Sequence, residues 1–164
     1  MQRADPRQRT SERLSRFTPY SYRSDPAVPA FADDKAIIVF DGVCAFCSGF
    51  VRFVAQRDRL RQFRFIPAQS RLGTALFRHY GLDPVNYETN LLIADGRVSA
   101  KMAAFAGIMS RLGGVWRLAA GLGWLPARLG DRGYDTIARN RYRLFGRYEQ
   151  CMVPDASWRD RVIE

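Results

Sequence analysis

Ala36-Ile37-Ile38-Val39-Phe40-Asp41-Gly42-Val43-Cys44-Ala45-Phe46-Cys47 joins a short apolar run to a pair of cysteines. Ile37 to Phe40 is continuously apolar, the pattern of a strand covered on both faces. Asp41-Gly42 ends that run. From Cys44 the spacing becomes helical: Phe46, Phe50, Phe53 and Val54 stand at i, i+4, i+7 and i+8, and Arg57-Asp58-Arg59 closes a helix of about four turns. Both thiols therefore fall where a buried strand meets the start of a helix.

That position carries chemistry. The first turn of a helix has unpaired N–H groups and the positive end of the macrodipole, so an anion is favoured there. A thiolate is such an anion, and its pKa falls below the usual value of about 8.5. A spacing of three residues sets both sulfurs on one side of the turn, close enough to bond. Reversible disulfide chemistry fits this geometry. A zinc site and inert buried thiols are the alternatives. Zinc needs four ligands as a rule; Cys44, Cys47, Cys151 and His79 could formally supply them, but no second C-x-x-C or H-x₃₋₅-H pair exists.

Outward from this junction the chain alternates. Arg61 to Ile66 reads as a second strand ending at Pro67, Gln69 to Tyr80 as a helix closed by Gly81, and Thr89 to Ala94 as a third strand. Asp95-Gly96 is a hairpin turn signal, so Arg97 to Ala100 is expected to pair antiparallel with the third strand. From about residue 102 the chain is mostly helical, broken by glycines and Pro126. The expected class is α/β, a four-stranded mixed sheet with flanking helices and a C-terminal helical extension within residues 36–164. Residues 1–35, rich in Arg, Ser, Pro and Asp and without period, are expected to be disordered or a loosely attached arm.

Composition narrows the function classes. The 164 residues are 47% hydrophobic and 26% charged, with three cysteines, which excludes a collagen-like, wholly disordered or disulfide-scaffold chain. Lys and Arg number 26 against 16 Asp and Glu, a net charge of +10 spread along the whole chain. A dispersed surplus favours solubility and loose attraction to polyanions over a dedicated nucleic-acid face. The N-terminus carries no secretory h-region, and Arg111, Arg117, Pro126 and Arg128 interrupt the most apolar stretch, so no transmembrane span is expected. The cytoplasm is the default location. Trp116, Leu118, Leu122, Trp124 and Leu125 fit either peripheral membrane contact or a helical lid over the core, with the lid preferred.

The chain resembles the DCC-type thiol–disulfide oxidoreductases, a thioredoxin-like family named for Asp-x-x-Cys-x-x-Cys. The resemblance rests on Asp41, Cys44 and Cys47, on Gly49-Phe50-Val51-Arg52-Phe53, and on Phe63-Arg64-Phe65-Ile66-Pro67 with Gln69-Ser70. It extends through Asp95-Gly96-Arg97-Val98, Leu112-Gly113-Gly114 with Trp116, and Ala138 to Arg143 with Gly146. It implies a thioredoxin-like fold and thiol–disulfide exchange, without metal or bound organic cofactor, acting on a disulfide-containing protein or a small thiol such as glutathione. Two departures stand out. Glu88-Thr89-Asn90 holds the place where many thioredoxin-like proteins carry a cis-proline, and Met102-Ala103 stands where family members often carry Ser-Asp.

In this reading Cys44, nearer the helix start and expected to be the more exposed, attacks; Cys47 resolves the mixed disulfide. Asp41 either caps the helix or its lead-in turn or accepts the proton of Cys47. Phe46 is expected to pack inward, with an apolar tip for a partner as the alternative. Thr89 would face the thiols in place of proline. Arg141, in the basic run Arg139 to Arg147, is a candidate anion contact for glutathione carboxylates, although such a run is usually a solvated face. Cys151 and His79 are expected to be a packed residue and a helix-end residue. The rival functions are a non-catalytic basic module for anionic surfaces and a structural zinc protein.

Overall fold

The computed structural model describes residues 10–87, 89–124 and 126–163, with only the backbone of Leu122, Ala127 and Arg128. Strands β1 (Ala36–Phe40), β2 (Phe63–Pro67), β3 (Leu91–Ala94) and β4 (Arg97–Ala100) form one sheet in the order β2-β1-β3-β4. β1 and β2 are parallel, with Ile38 opposite Phe65. β1 with β3, and β3 with β4, are antiparallel. A parallel neighbour needs a crossover, and helix α2 (Ala45–Arg57) supplies it. Asp95 and Gly96, both at positive φ, make the two-residue turn between β3 and β4. The mixed open sheet with flanking helices is the α/β arrangement the sequence pattern predicts, and it agrees with the thioredoxin-like fold that the family resemblance implies.

β1 is apolar throughout because both its faces are covered. Ile37 and Val39 join Ile66, Leu91 and Ile93 under Leu72, Leu76 and Phe77 of α3 (Arg71–His79). Ile38 and Phe40 join Phe63, Phe65 and Leu92 under Val51 and Val54 of α2. Ala104, Ile108 and Met109 of α4 (Lys101–Leu112) complete that second core.

Residues 10–35 depart from the expected disorder. α1 (Thr10–Leu14) and a 3-10 turn at Ser21–Ser24 lie on the α3 side, and Leu14, Tyr22 and Val28 are buried in the first core. Tyr22 donates to Asp33 (2.8 Å), Tyr20 N–H donates to the Gly96 carbonyl (2.9 Å), and His79 bridges Asp25 (2.7 Å) and Ser21 (2.9 Å). The apolar residues here have no period because the segment is neither a long helix nor a strand. Each meets a separate place on the face that α3 leaves open. Residues 1–9, also expected to be disordered, lie outside the described residues.

The C-terminal extension comprises α5 (Trp116–Ala120), a 3-10 turn at Gly121–Trp124 and α6 (Ala127–Phe145). The expected lid is present at Trp116, whose ring meets Phe53 edge-on at 4.8 Å. It is not formed by Leu118 and Trp124, which are 83% and 92% exposed. Leu125 and the side chain of Leu122 lie outside the described residues. Beyond α6 the chain returns to the second core through Met152 and Trp158. Arg161, buried, pairs with buried Asp58 at 2.8 Å and ties this return to the end of α2. Among the described residues no helix is long and apolar enough to cross a membrane.

Candidate active site

Cys44 is the N-cap of α2. Its backbone is extended (φ −80°, ψ 117°) and its sulfur accepts the N–H of Cys47 at 3.3 Å. Ser, Thr, Asp or Asn ordinarily holds this position because its side-chain oxygen satisfies an orphan N–H; here a sulfur does so, best when ionised. The Cys47 thiol in turn hydrogen-bonds Cys44. That bond is the largest influence lowering the Cys44 thiol to about 7, against burial that raises it and the Cys47 N–H that lowers it further. The same bond, burial and the Cys44 charge push Cys47 far up. One sulfur is thus prepared to ionise near neutral pH while its neighbour retains its proton.

Asp41, 1% exposed, lies behind the pair at the end of β1. Its Oδ1 accepts from Val43 N–H (3.2 Å) and from the Gln69 amide (2.7 Å). Its Oδ2 accepts from Tyr142 O–H and from Arg141 (3.3 Å). The bond from Val43 caps the lead-in turn, one of the two roles weighed for Asp41; the helix cap itself is Cys44. Arg141, also buried, donates further to the carbonyls of Ala138 (2.7 Å) and Tyr87 (2.6 Å). A buried carboxylate is stable when paired and hydrogen-bonded on all sides, and these contacts join the end of β1, the lead-in to α3 and the C-terminal end of α6 in one network. Both cysteines feel it: the Asp41 charge raises their pKa values and Arg141 lowers them.

Several expectations change here. Cys44 is not the more exposed thiol: it is 0% exposed, and Cys47 6%. The cover is the strap that follows α6. Cys44 bridges Arg147, Ala45 N–H donates to the Gly146 carbonyl, Tyr148 N–H to that of Val43 (2.8 Å), and Met152 N–H to that of Gly42 (2.9 Å). Gly146 reaches this path at φ +84°, where a side chain is strained. Gly42 admits Cys151, because a Cβ on Gly42 would stand 2.2 Å from the Cys151 sulfur. Cys151 is thus packed against the thiol loop. Phe46 does not pack inward: it is 43% exposed and stacks on Phe145 at 4.7 Å. In the basic run Arg139, Arg143 and Arg147 are solvated, whereas Arg141 is sealed and ion-paired. His79 ends α3 as expected, held by Asp25 and Ser21. Among the described residues no three His, Cys, Asp or Glu side chains gather as a metal site.

Two cavities flank Arg141. A polar one of about 410 Å³ runs past Val43, Gln69, Arg139 and Arg147. An almost wholly apolar one of about 330 Å³ has Cys47, Phe46 and Thr89 in its wall. Thr89, 7% exposed, accepts from Lys101 N–H (3.0 Å) and so joins the third strand to α4.

Residues 38–147 match the family described as DCC1-like thiol-disulfide oxidoreductase. The chain belongs to that family. It is 35% identical to the uncharacterized protein YuxK of Bacillus subtilis over 127 residues, 77% of this chain and 93% of YuxK. It is 36% identical over 120 residues to a DCC family protein of Arabidopsis thaliana, named as chloroplastic, covering 73% of this chain and 70% of that protein. No solved structure is a significant match. The DCC1-like segment runs from inside β1 to Arg147, where the strap covers Cys44. It therefore takes in the whole Asp41 network. Gln69 and Tyr142 had no assigned role in the sequence reading, although both stand in the blocks that carried the family resemblance. Their place in those blocks was the available signal; their convergence on Asp41 was not visible along the chain.

Proposed function

We propose that this protein exchanges the Cys44/Cys47 dithiol with disulfides of proteins or small thiols. The observation that carries the reading is the split between the two sulfurs: Cys44 lowered to about 7 at the helix cap, Cys47 hydrogen-bonded to it and raised. In the forward direction the Cys44 thiolate attacks one sulfur of the substrate disulfide. The substrate S–S bond breaks, its far sulfur leaves as a thiolate and takes up a proton, and a mixed disulfide forms. Cys47 then loses its proton and attacks the Cys44 sulfur, releasing the second substrate thiol. The substrate gains two electrons and two protons; Cys44 and Cys47 become a disulfide. A second thiol system restores the dithiol.

Once Cys44 is tied up in the mixed disulfide it no longer bears the charge that raises Cys47. Asp41 is the proton acceptor in that step, fixed by Tyr142, Gln69 and Arg141; its charge already acts on both thiols. The strap from Gly146 to Met152 moves aside for the substrate, since Cys44 has no exposed surface beneath it. Arg139 and Arg147, in the polar cavity beside Val43, are suited to the carboxylates of a small thiol such as glutathione. A reducing compartment such as the cytoplasm is the setting of this reading; the relative named as chloroplastic means that family membership alone does not assign it.

An insulin-type disulfide reduction assay tests the proposal. Wild type should turn over, Cys44→Ser should be inactive, and Cys47→Ser should stall as a trapped mixed disulfide. Turnover that survives Cys44→Ser would end the reading.

A further inference from the structure

The corner where α5 leads into α6 is a part of the surface that the exchange chemistry leaves unused. α5 packs on the second core through Trp116, Ala119 and Ala120. A helix advances about 100° per residue, so Arg117 and Leu118 turn to the opposite side. Val115 at the cap of α5, Leu118, Trp124 at the end of the 3-10 turn and Leu129 in the first turn of α6 are each more than half exposed. The 3-10 turn touches both α5 and α6, so these side chains share one corner. A single exposed apolar side chain is ordinary; several together, one of them a tryptophan, mark an interaction site.

The charge along this part of the chain has one sign. No Asp or Glu occurs from Gly96 to Gly130, although the chain holds 16. Lys101 and Arg111 in that run are already paired, with Asp135 and Asp95, both at 2.8 Å. Arg117, beside Leu118, and Arg132, one turn beyond Leu129, are exposed. Neither takes part in an ion pair among the described residues. The first two carboxylates of α6 do not neutralise them, since Asp131 is buried and Asp135 holds Lys101.

Apolar tips beside unpaired arginines select the partner. A second copy in a two-fold contact lays the corner on itself and sets arginine against arginine. A nucleic acid offers phosphates but no apolar layer for Leu118 and Leu129. An anionic bilayer offers both. Its headgroup plane attracts each nearby arginine, its acyl chains accept the apolar tips, and tryptophan settles at the boundary between them.

We propose that Val115, Leu118, Trp124 and Leu129 dock this protein on an anionic phospholipid surface, with Arg117 and Arg132 at the level of the headgroups. The contact is peripheral and does not involve the thiols, so it stands apart from the exchange reading.

Vesicle flotation of the full chain tests it, comparing phosphatidylcholine alone with phosphatidylcholine carrying about 30% phosphatidylserine. Two arginines at roughly fivefold each give about a 25-fold preference for the anionic vesicles at low salt. Binding should shift the tryptophan emission to the blue through Trp124, because Trp158 is buried and Trp116 already packs on Phe53. The double variant Leu118→Ser, Trp124→Ala keeps every arginine. It should lose the emission shift and bind about 10-fold or more weakly, with the thermal transition and small-disulfide reduction at the wild-type level. Arg117→Gln should weaken binding about fivefold, and Cys44→Ser should leave it unchanged. Absence of binding to the anionic vesicles would overturn the proposal. Binding that a folded double variant retains in full would also overturn it, since the net charge of +10 would then suffice without this corner. Sedimentation without lipid supplies a further outcome: a dimer that the double variant abolishes would assign the corner to a second copy and overturn the lipid.

Discussion

Cys47→Ala removes the thiol whose hydrogen bond is the largest influence lowering Cys44 to about 7. At pH 7 a thiol of pKa about 7 is roughly half ionised and an ordinary one of pKa about 8.5 is about 3% ionised, a ratio near 16. Thiolate nucleophilicity falls with pKa with a slope of about 0.4–0.5, which over about 1.5 units takes back roughly 4- to 6-fold. The net advantage at pH 7 is thus about 3- to 4-fold per accessible sulfur. Because the strap slows every reagent equally, the pH midpoint of the reaction is the diagnostic quantity. Iodoacetamide modification of Cys44, followed by peptide mass mapping across pH 5.5–10, should show a midpoint near 7 in wild type. In Cys47→Ala it should rise by about a unit or more. A wild-type midpoint at or above that of the unfolded chain, or one that Cys47→Ala leaves in place, would refute the reasoning.

The same two thiols set the alkaline stability profile. Between about pH 7 and 8.5 the unfolded chain keeps the Cys44 proton that the native protein has lost, so stability rises with pH. This contribution is fully present above the unfolded pKa and is lost as pH falls through about 7. Cys47 acts in the opposite sense: its raised pKa means that the native protein holds a proton the unfolded chain releases, so stability falls above about pH 8.5. Their joint contribution should peak near pH 8.5, with a size of about 1–3 kcal/mol for Cys44. Urea titrations of wild type and Cys44→Ser at several pH values measure it. A difference between them that does not vary with pH would contradict the assigned shifts.

Three further outcomes follow from the geometry. Asp58→Ala leaves Arg161 buried without its carboxylate and frees the N–H groups of Gln62 and Phe63, so chemical denaturation should show a loss of about 3–5 kcal/mol; a loss under about 1 kcal/mol would show the pair to be dispensable. Deleting residues 1–35 uncovers the first core where Leu14, Tyr22 and Val28 sit, each worth about 1.5–3 kcal/mol, so calorimetry should record a steep fall or loss of the thermal transition, whereas a disordered arm would leave it unchanged. Gly146→Val strains the strap at φ +84°, so Cys44 alkylation should accelerate several-fold with its pH midpoint unmoved; slower alkylation would count against the strap as the cover.

The local elements were legible because each rests on a local pattern. The run Ile37–Phe40, the helical spacing from Phe46 and the Asp95-Gly96 turn are all short-range signals. They led to the strands, the crossover and the hairpin within one or two residues of their observed ends. Residues 10–35 were misread for the complementary reason. Leu14, Tyr22 and Val28 contact residues far along the chain and leave no period in their own segment. The burial of Cys44 was equally hidden, since its cover comes from residues about a hundred positions away.

The chemical identity of the site, two sulfurs three residues apart at the start of a helix, belongs to the sequence itself, because the macrodipole and the N-cap are properties of a single turn of backbone. Folding alone decided which sulfur is sealed, which carboxylate contacts Arg141, and where an apolar cavity opens beside Cys47. Those are relations between segments brought together by burying both faces of β1, and burial has no direction along a chain.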